Sequence, residues 1–259
     1  MFVPLLAAVV VLCPSARAQS APPQFSEAEL KAAQQDPKKY LLDEDSLTIT
    51  KLDTVAGPLD VPTGGGDAGG GADPTVVLDQ IINIGKKIWA IIDANKPVVD
   101  IKTQYAVALP SGTVSAAQLA GWKPPRGTVY GLTAKNLYGQ KVIDVRYQVL
   151  RQYGGQYHGH GRYLSGVTIQ PLQVDVLWGY KFSLDATVGD TSITNAGTDA
   201  EPIAGMQPVV QWRVQTSIKD STGRAGYYLQ GDGLFQETGG TTLRAAAAVK
   251  DALQRAGGK

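Results

Sequence analysis

The sequence predicts a mainly β protein, an antiparallel, jelly-roll-like β-sandwich of about eight strands with an N-terminal flanking helix and a C-terminal helix. Apolar residues recur at helical spacing before Pro97, and they alternate with polar residues from Val98 to Phe235. The chain has 30 glycines, and its 18% of charged residues is below the ~25% typical of globular proteins. Both values are typical of a turn-rich β protein.

Residues 1–18 are predicted to be a signal peptide. An apolar stretch from Leu5 to Leu12 precedes Ala16-Arg17-Ala18, the small-x-small pattern that a signal peptidase cleaves. The mature protein is therefore expected to be exported, to the periplasm or the cell exterior, without a transmembrane segment. Cys13 is the one cysteine of the chain, so cleavage after residue 18 removes any thiol, whereas lipid attachment at Cys13 stays open.

Residues 19–73 are predicted to form an N-terminal arm and a glycine-rich linker. Ser26 and Glu29 have capping-box spacing for a short helix to about Gln35. The segment 46–52 reads as a short strand or an extended arm, and the run GGGDAGGGA at 64–72 is typical of a flexible tether.

Residues 74–95 are predicted to form an amphipathic helix that packs on the sandwich. Asp73 suits the N-cap position and Pro74 the first helical position. Isoleucines and a valine recur in steps of three and four and would make one apolar stripe. These residues are Val77, Ile81, Ile84, Ile88 and Ile91.

Residues 96–236 contain the predicted strands, and residues 237–259 the predicted C-terminal helix, which Thr242 could cap. Alternation is clearest over 98–109, 141–153, 180–188 and 210–218. Gly154-Gly155 is a hairpin signal, and Pro171 predicts a bulge because proline cannot join a central ladder.

Both histidines lie in the run Tyr157-His158-Gly159-His160. On a strand, His158 and His160 would point to one face, roughly 6–7 Å apart, a spacing that can present two imidazoles to one metal ion. Asp144 on the preceding strand could supply a third ligand. Alternatively, the pair is solvated and glycine-flanked, without a metal.

Tyr153, Tyr157 and Tyr163 surround the predicted hairpin, and with Arg162 they form the candidate ligand-binding set. Exposed tyrosines on a sheet can stack on sugar rings or contact a protein partner. Cross-strand aromatic packing explains them equally well without any ligand.

Lysines and arginines total 24 and acidic residues 23, a balance that argues against nucleic-acid binding. The chain has no G-x-S-x-G sequence, and no pair of carboxylates is marked as catalytic. We therefore expect a non-enzymatic binding or scaffold protein without a cofactor, which binds a protein or an envelope glycan through its sheet surface and N-terminal arm. The alternatives are a carbohydrate-binding sandwich and a metal-dependent enzyme at His158 and His160.

Overall fold

A computed structural model of the chain describes residues 25–56, 76–98 and 104–240. The described residues contain two short α-helices, two single-turn 3-10 helices and fourteen strands, and the strands form two sheets of antiparallel pairs. The predicted mainly β class is therefore confirmed. The signal peptide, the glycine-rich run and the C-terminal helix expected from Thr242 onward lie outside the described residues, although 237–240 belong to a strand.

The helices and strands alternate with short turns along the described chain. The helices are α1 (Glu27–Gln35) and α2 (Pro37–Tyr40). The first eight strands are β1 (Leu42–Ala56), β2 (Val77–Ile82), β3 (Ile88–Asp93), β4 (Lys96–Pro97), β5 (Ala106–Ser111), β6 (Arg126–Asn136), β7 (Lys141–Tyr157) and β8 (His160–Val176). The last six are β9 (Lys181–Thr187), β10 (Ile193–Asn195), β11 (Ala204–Met206), β12 (Val209–Gln215), β13 (Asp220–Gln230) and β14 (Phe235–Gly240).

The first sheet has the strand order β1-β6-β7-β8-β5-β2. The second has the order β10-β11-β13-β12-β9-β3-β4, and β14 pairs with β13. The long β7–β8 hairpin forms the middle of the first sheet. Its register shifts where Pro171 lies opposite Tyr147, which confirms the bulge expected at this proline.

Helix α1 begins with the predicted capping box. The Ser26 hydroxyl accepts a hydrogen bond from the Glu29 amide at 3.3 Å, and the Glu29 carboxylate accepts one from the Ser26 amide at 2.7 Å. Asp36 closes the helix, because its amide donates to the Ala32 carbonyl at 3.1 Å and Pro37 follows.

The prediction of an N-terminal arm over residues 19–73 is wrong for residues 25–56, where the short strand left open for 46–52 is the alternative that the structure shows. Strand β1 pairs with β6 over most of its 15 residues, and Leu47 and Ile49 are buried in the core, as are Ala33 and Tyr40. This segment is an edge strand with its own helical cap, because its alternating apolar residues find a partner within the chain.

The predicted helix over 74–95 is also wrong for its described part, residues 76–95, which contains β2 and β3. An Asn83 turn separates the two strands, since the Asn83 side chain accepts hydrogen bonds from the amides of Gly85 at 2.9 Å and Val107 at 3.0 Å. The isoleucines are β-branched and suit strands as well as helices. Their spacing alone could not distinguish the two.

Aromatic residues connect the two sheets in the core. The hydroxyls of Tyr147 on β7 and Tyr227 on β13 lie 2.6 Å apart and are buried. The Tyr130 ring packs against both, with its centroid 5.7 Å from that of Tyr147 and 4.9 Å from that of Tyr227. The hydrogen bond satisfies two polar groups that burial would otherwise leave unpaired.

In the part of the chain that the structure describes, no helix is long and apolar enough to span a bilayer.

Candidate functional site at the end of the β7–β8 hairpin

The β7–β8 hairpin turns at His158-Gly159, because Tyr157 pairs with His160. Both turn residues have positive φ, 50° at His158 and 86° at Gly159. A two-residue hairpin turn of this kind requires positive φ at both positions, and glycine adopts it without a steric penalty. The expectation that the chain turns at Gly154-Gly155 is therefore wrong.

Gly154 and Gly155 instead form an irregular part of β7, where the register shifts on both sides of Gly155. The Trp122 ring lies so close over Gly155 that an added Cβ would overlap its atoms. The Trp122 Nε1 donates to the Ala116 carbonyl at 3.2 Å. Because Gly155 has no side chain, the Trp122 ring and the 112–125 loop can pack closely against the hairpin.

The two histidines do not share a strand face, so the arrangement assumed for a metal site is absent. His158 occupies the turn, and the His160 Nδ1 lies 2.9 Å from the Glu201 Oε1. The Glu201 carboxylate also accepts a hydrogen bond from the Gly161 amide, and these bonds lower its pKa. Among the described residues, no group of three or more His, Cys, Asp or Glu could hold a metal ion.

Asp144, the suggested third ligand, lies at the opposite end of the hairpin. It pairs in register with Asp175, and its carboxylate contacts the Lys141 Nζ at 2.8 Å. Thirteen residues separate it from Tyr157 along β7, which corresponds to about 40 Å in an extended strand.

Two of the three candidate tyrosines are buried. Tyr157 is 8% exposed and Tyr163 is 0% exposed. The Tyr163 hydroxyl donates to the Leu78 carbonyl at 2.8 Å, and burial raises its pKa. The prediction that all three tyrosines are exposed for ligand binding is therefore wrong. Of the three, only Tyr153 is accessible enough to stack on a ligand.

Tyr153 and Arg162 meet in a cleft of about 250 Å³ beside the hairpin turn. The cleft thus combines two of the predicted ligand-binding residues with side chains from other segments and with glycine backbone. The further lining residues are Lys123, Gln156, Asp232, Gly121, Gly154 and Gly231.

Backbone hydrogen bonds hold the segments of the cleft together. The Lys123 amide donates to the Tyr153 carbonyl at 2.9 Å, and the Gly154 amide donates to the Gly231 carbonyl at 2.8 Å. The Arg162 amide donates to the Pro202 carbonyl at 2.8 Å. Because three different loops and two strands are tied in this way, the cleft is preformed and needs little ordering to bind.

The chemistry of the cleft is that of a polar binding site. It offers one aromatic ring, two cations, one amide and the Asp232 carboxylate. Among its described lining residues there is no Ser, Cys or His, and Asp232 is the one acid, whereas glycoside hydrolysis uses two carboxylates. These groups can bind and orient a polar ligand through stacking and hydrogen bonds.

A broader cleft of about 470 Å³ lies on β9, β12 and β13. Asp185 lines it, and partial burial together with the charge of Asp93 raises the pKa of this carboxyl. Arg213, also in the lining, forms an ion pair with Asp220, so its charge is already neutralised. None of the residues predicted for ligand binding reaches this cleft.

Three functional groups of the hairpin cleft were not found from the sequence. Lys123 follows Trp122 in a proline- and glycine-rich loop, Asp232 lies between two glycines of a turn, and Gln156 lies beyond an apparent hairpin signal. Gln156 lies on the first sheet, Lys123 in a loop that leads into that sheet, and Asp232 in a turn of the second, so no signal within one stretch of sequence could have linked them. The chain matches no protein-family model, no curated protein and no solved structure.

Proposed function

We propose that this protein is an exported, non-enzymatic binding protein and that the cleft beside the β7–β8 turn holds a saccharide. The observation that carries the proposal is the convergence of the Tyr153 ring with Arg162, Lys123 and Asp232 in one preformed cleft. The C–H face of a pyranose suits an aromatic face, and its hydroxyls suit charged and amide groups around that face.

The size of the cleft favours a small ligand group. Its volume of about 250 Å³ is below the ≈ 300–1,000 Å³ of sites that enclose drug-sized molecules. One sugar ring, with the rest of the glycan extending into solvent, is therefore the expected occupant. An envelope glycan of this kind agrees with the export predicted from residues 1–18.

We further infer that the two sheets pack face to face as a sandwich. The buried Tyr147–Tyr227 contact between β7 and β13 supports this arrangement. In a sandwich, turns cluster at the two ends and are favoured places for binding sites, and the cleft is built from such turns.

Glycan-array binding tests the saccharide proposal with three proteins: wild type, Tyr153→Ala and Tyr138→Ala. Tyr138 is 61% exposed and lies beside α2, where its hydroxyl donates to Asp36, so it is a matched tyrosine outside the cleft. Loss of stacking at Tyr153 should weaken binding about tenfold, ~1.4 kcal/mol, and Tyr138→Ala should bind as wild type does. Absence of any retained glycan, or equal binding by the Tyr153 variant, would contradict the proposal.

A protein partner is the second candidate, and a separate surface favours it. Trp178, 54% exposed, packs edge-on against Tyr40, and the exposed residues Leu137 and Tyr138 lie beside α2. Exposed aromatic residues that cluster in this way are typical of partner surfaces. Cross-linking of the wild type and Trp178→Ala in native envelopes tests this candidate, and a partner retained by the variant would count against it.

Export itself is tested by fractionation followed by N-terminal sequencing of the purified protein. Cleavage after Ala18 predicts Gln19 as the first residue. A cytoplasmic protein that retains residues 1–18 would exclude this part of the proposal.

A further inference from the structure

Arg151 on β7 is a buried cation without a carboxylate partner. Its side chain is 4% exposed, and its Nη1 donates to the Thr128 hydroxyl at 3.1 Å. Its Nε is buried and has no hydrogen-bond partner, and its guanidinium lies 4.2 Å from the centroid of the Phe235 ring. Burial of a charge in this state is unfavourable unless an opposite charge approaches it.

A second arginine lies directly across the sheet. Arg126 on β6 is the register partner of Arg151, and like charges at such positions repel each other. Burial and the Arg126 charge together lower the pKa of Arg151 to about 10. Neither arginine belongs to an ion pair within the described part of the chain.

Glu237 on β14, the strand that carries Phe235, does not form an ion pair with either arginine. Glu237 instead accepts a hydrogen bond from the Tyr130 hydroxyl at 3.0 Å. Arg151 also lies near Tyr130 and Tyr153 rather than near a carboxylate. Arg126 and Arg151 therefore both keep an unpaired positive charge, and the Nε–H donor of Arg151 is unused.

Tyr153 connects this arginine pair to the cleft. The Arg126 guanidinium lies 5.8 Å from the centroid of the Tyr153 ring, and the same ring lines the cleft. On the cleft itself, Lys123 and Arg162 also form no ion pair among the described residues. Two cations thus line the cleft with Asp232 as the one acid, and Arg126 and Arg151 add two more positive charges next to the Tyr153 ring.

From this excess of unpaired cations we infer that the saccharide is acidic, a glycan whose ring lies on Tyr153 and whose uronic-acid carboxylate binds at the exposed Arg126, with the buried charge of Arg151 across the strand pair adding to the attraction. This inference rests on the proposed function and names its ligand class. The planar guanidinium fork matches a carboxylate and can bind it through two parallel hydrogen bonds. The bound carboxylate would also supply the counter-charge that Arg151 lacks.

The test uses two probes with the same sugar backbone, tetragalacturonate and its fully methyl-esterified form, in which esterification removes the negative charge of every carboxyl group. Binding of both is measured by isothermal titration calorimetry. The wild type should bind the acid at least about tenfold more tightly than the ester, and added salt should reduce this preference. Arg126→Gln should abolish the preference, because it should weaken binding of the acid far more than binding of the ester. Arg224→Gln, an exposed arginine of the other cleft, is the matched control and should behave as wild type.

Arg151→Met separates a binding role from a structural one. Because an apolar side chain of similar length removes an uncompensated buried charge, the variant should melt at the same temperature as wild type or higher. Its preference for the acid should still be smaller than that of wild type, since one positive charge beside the site is gone. A preference that survives in both arginine variants would overturn the inference.

The failure of the inference differs from the failure of the proposed function. Equal binding of acid and ester by the wild type overturns the inference and leaves the saccharide proposal standing. Retention of neutral or sulfated glycans alone on the array does the same. If the array retains no glycan and neither probe binds, the proposed function fails and the inference falls with it.

Discussion

Replacement of Gly155 by alanine tests whether the Trp122 ring holds the 112–125 loop on the hairpin. An alanine Cβ at this position would overlap the indole and lie 2.6 Å from its Cζ3, whereas ordinary contacts begin at 3.4 Å. Gly155 is not among the residues with positive φ, so alanine introduces no backbone strain and the effect is steric.

The expected size of the effect follows from three contributions. Overpacking against the ring costs roughly 1–3 kcal/mol, and loss of the Nε1 hydrogen bond to Ala116 costs about 1 kcal/mol. Alanine regains about 0.5–1 kcal/mol, because it restricts the unfolded backbone more than glycine does. Gly155→Ala should therefore lower the free energy of unfolding by about 2 kcal/mol, or Tm by ~4–8 °C for a chain of this size.

A double-mutant cycle with Trp122→Ala isolates the contact. Without the indole, Gly155→Ala should be neutral or slightly stabilising, so the coupling energy should be about 2 kcal/mol. Urea unfolding of the four proteins, followed by far-UV circular dichroism, measures it. If Gly155→Ala destabilises both backgrounds equally, within ~0.5 kcal/mol, the ring is not the cause and the reasoning fails.

Three further predictions concern the core, a half-buried carboxyl and the first helix. Tyr147→Phe leaves the Tyr227 hydroxyl buried without its partner at 2.6 Å and should lower the free energy of unfolding, measured in urea, by about 1–3 kcal/mol. The double variant Tyr147→Phe/Tyr227→Phe should recover most of that loss. Equal losses in the single and double variants would argue against the hydrogen bond. The pKa of Asp185 is raised by burial and by Asp93, so the folded state holds this proton more tightly and stability should fall as pH rises from 3.8 through the raised value. Asp185→Asn should therefore be more stable than wild type at neutral pH and no more stable below pH 3.8. Thermal melts of both proteins across this pH range measure the difference in stability. A difference that does not change with pH would contradict the raised pKa of Asp185. Ser26→Ala should lower the free energy of unfolding by about 1 kcal/mol, and Ser26→Asp by much less, since aspartate also accepts the capping hydrogen bond. Equal melting temperatures for the two variants would show that the capping hydrogen bond contributes nothing to stability.

The strands that sequence reasoning found are those with a clean two-residue alternation. β9 and β12 lie close to the predicted positions because each has one buried and one more exposed face. The segment 74–95 predicts a helix because its isoleucines recur in steps of three and four, but β-branched isoleucines fit two short strands with a turn between them equally well. Only pairing with distant strands distinguishes one helix from two strands here, and β3 pairs with β9, whose partner residues lie 92–99 positions further along the chain.

The candidate site was only partly predictable for a related reason. Tyr153 and Arg162 stood out because aromatic and basic residues clustered near glycines. The hairpin turn was placed four residues too early, since Gly154-Gly155 resembles a turn but instead accommodates Trp122. Exposure of Tyr157 and Tyr163 depends on which face each one occupies, and a shift of one residue in register reverses that face.

The order of the strands in the second sheet has a consequence for any fragment of the protein that is expressed on its own. Strands β9 to β14 all belong to the second sheet, but that sheet is completed by β3, which lies far upstream. A fragment that starts after residue 178 would leave one backbone edge of β9 open, and such edges recruit other chains. The C-terminal half is thus expected to self-associate or aggregate when expressed alone, and to become soluble when a peptide that contains Ile88–Asp93 is supplied in trans.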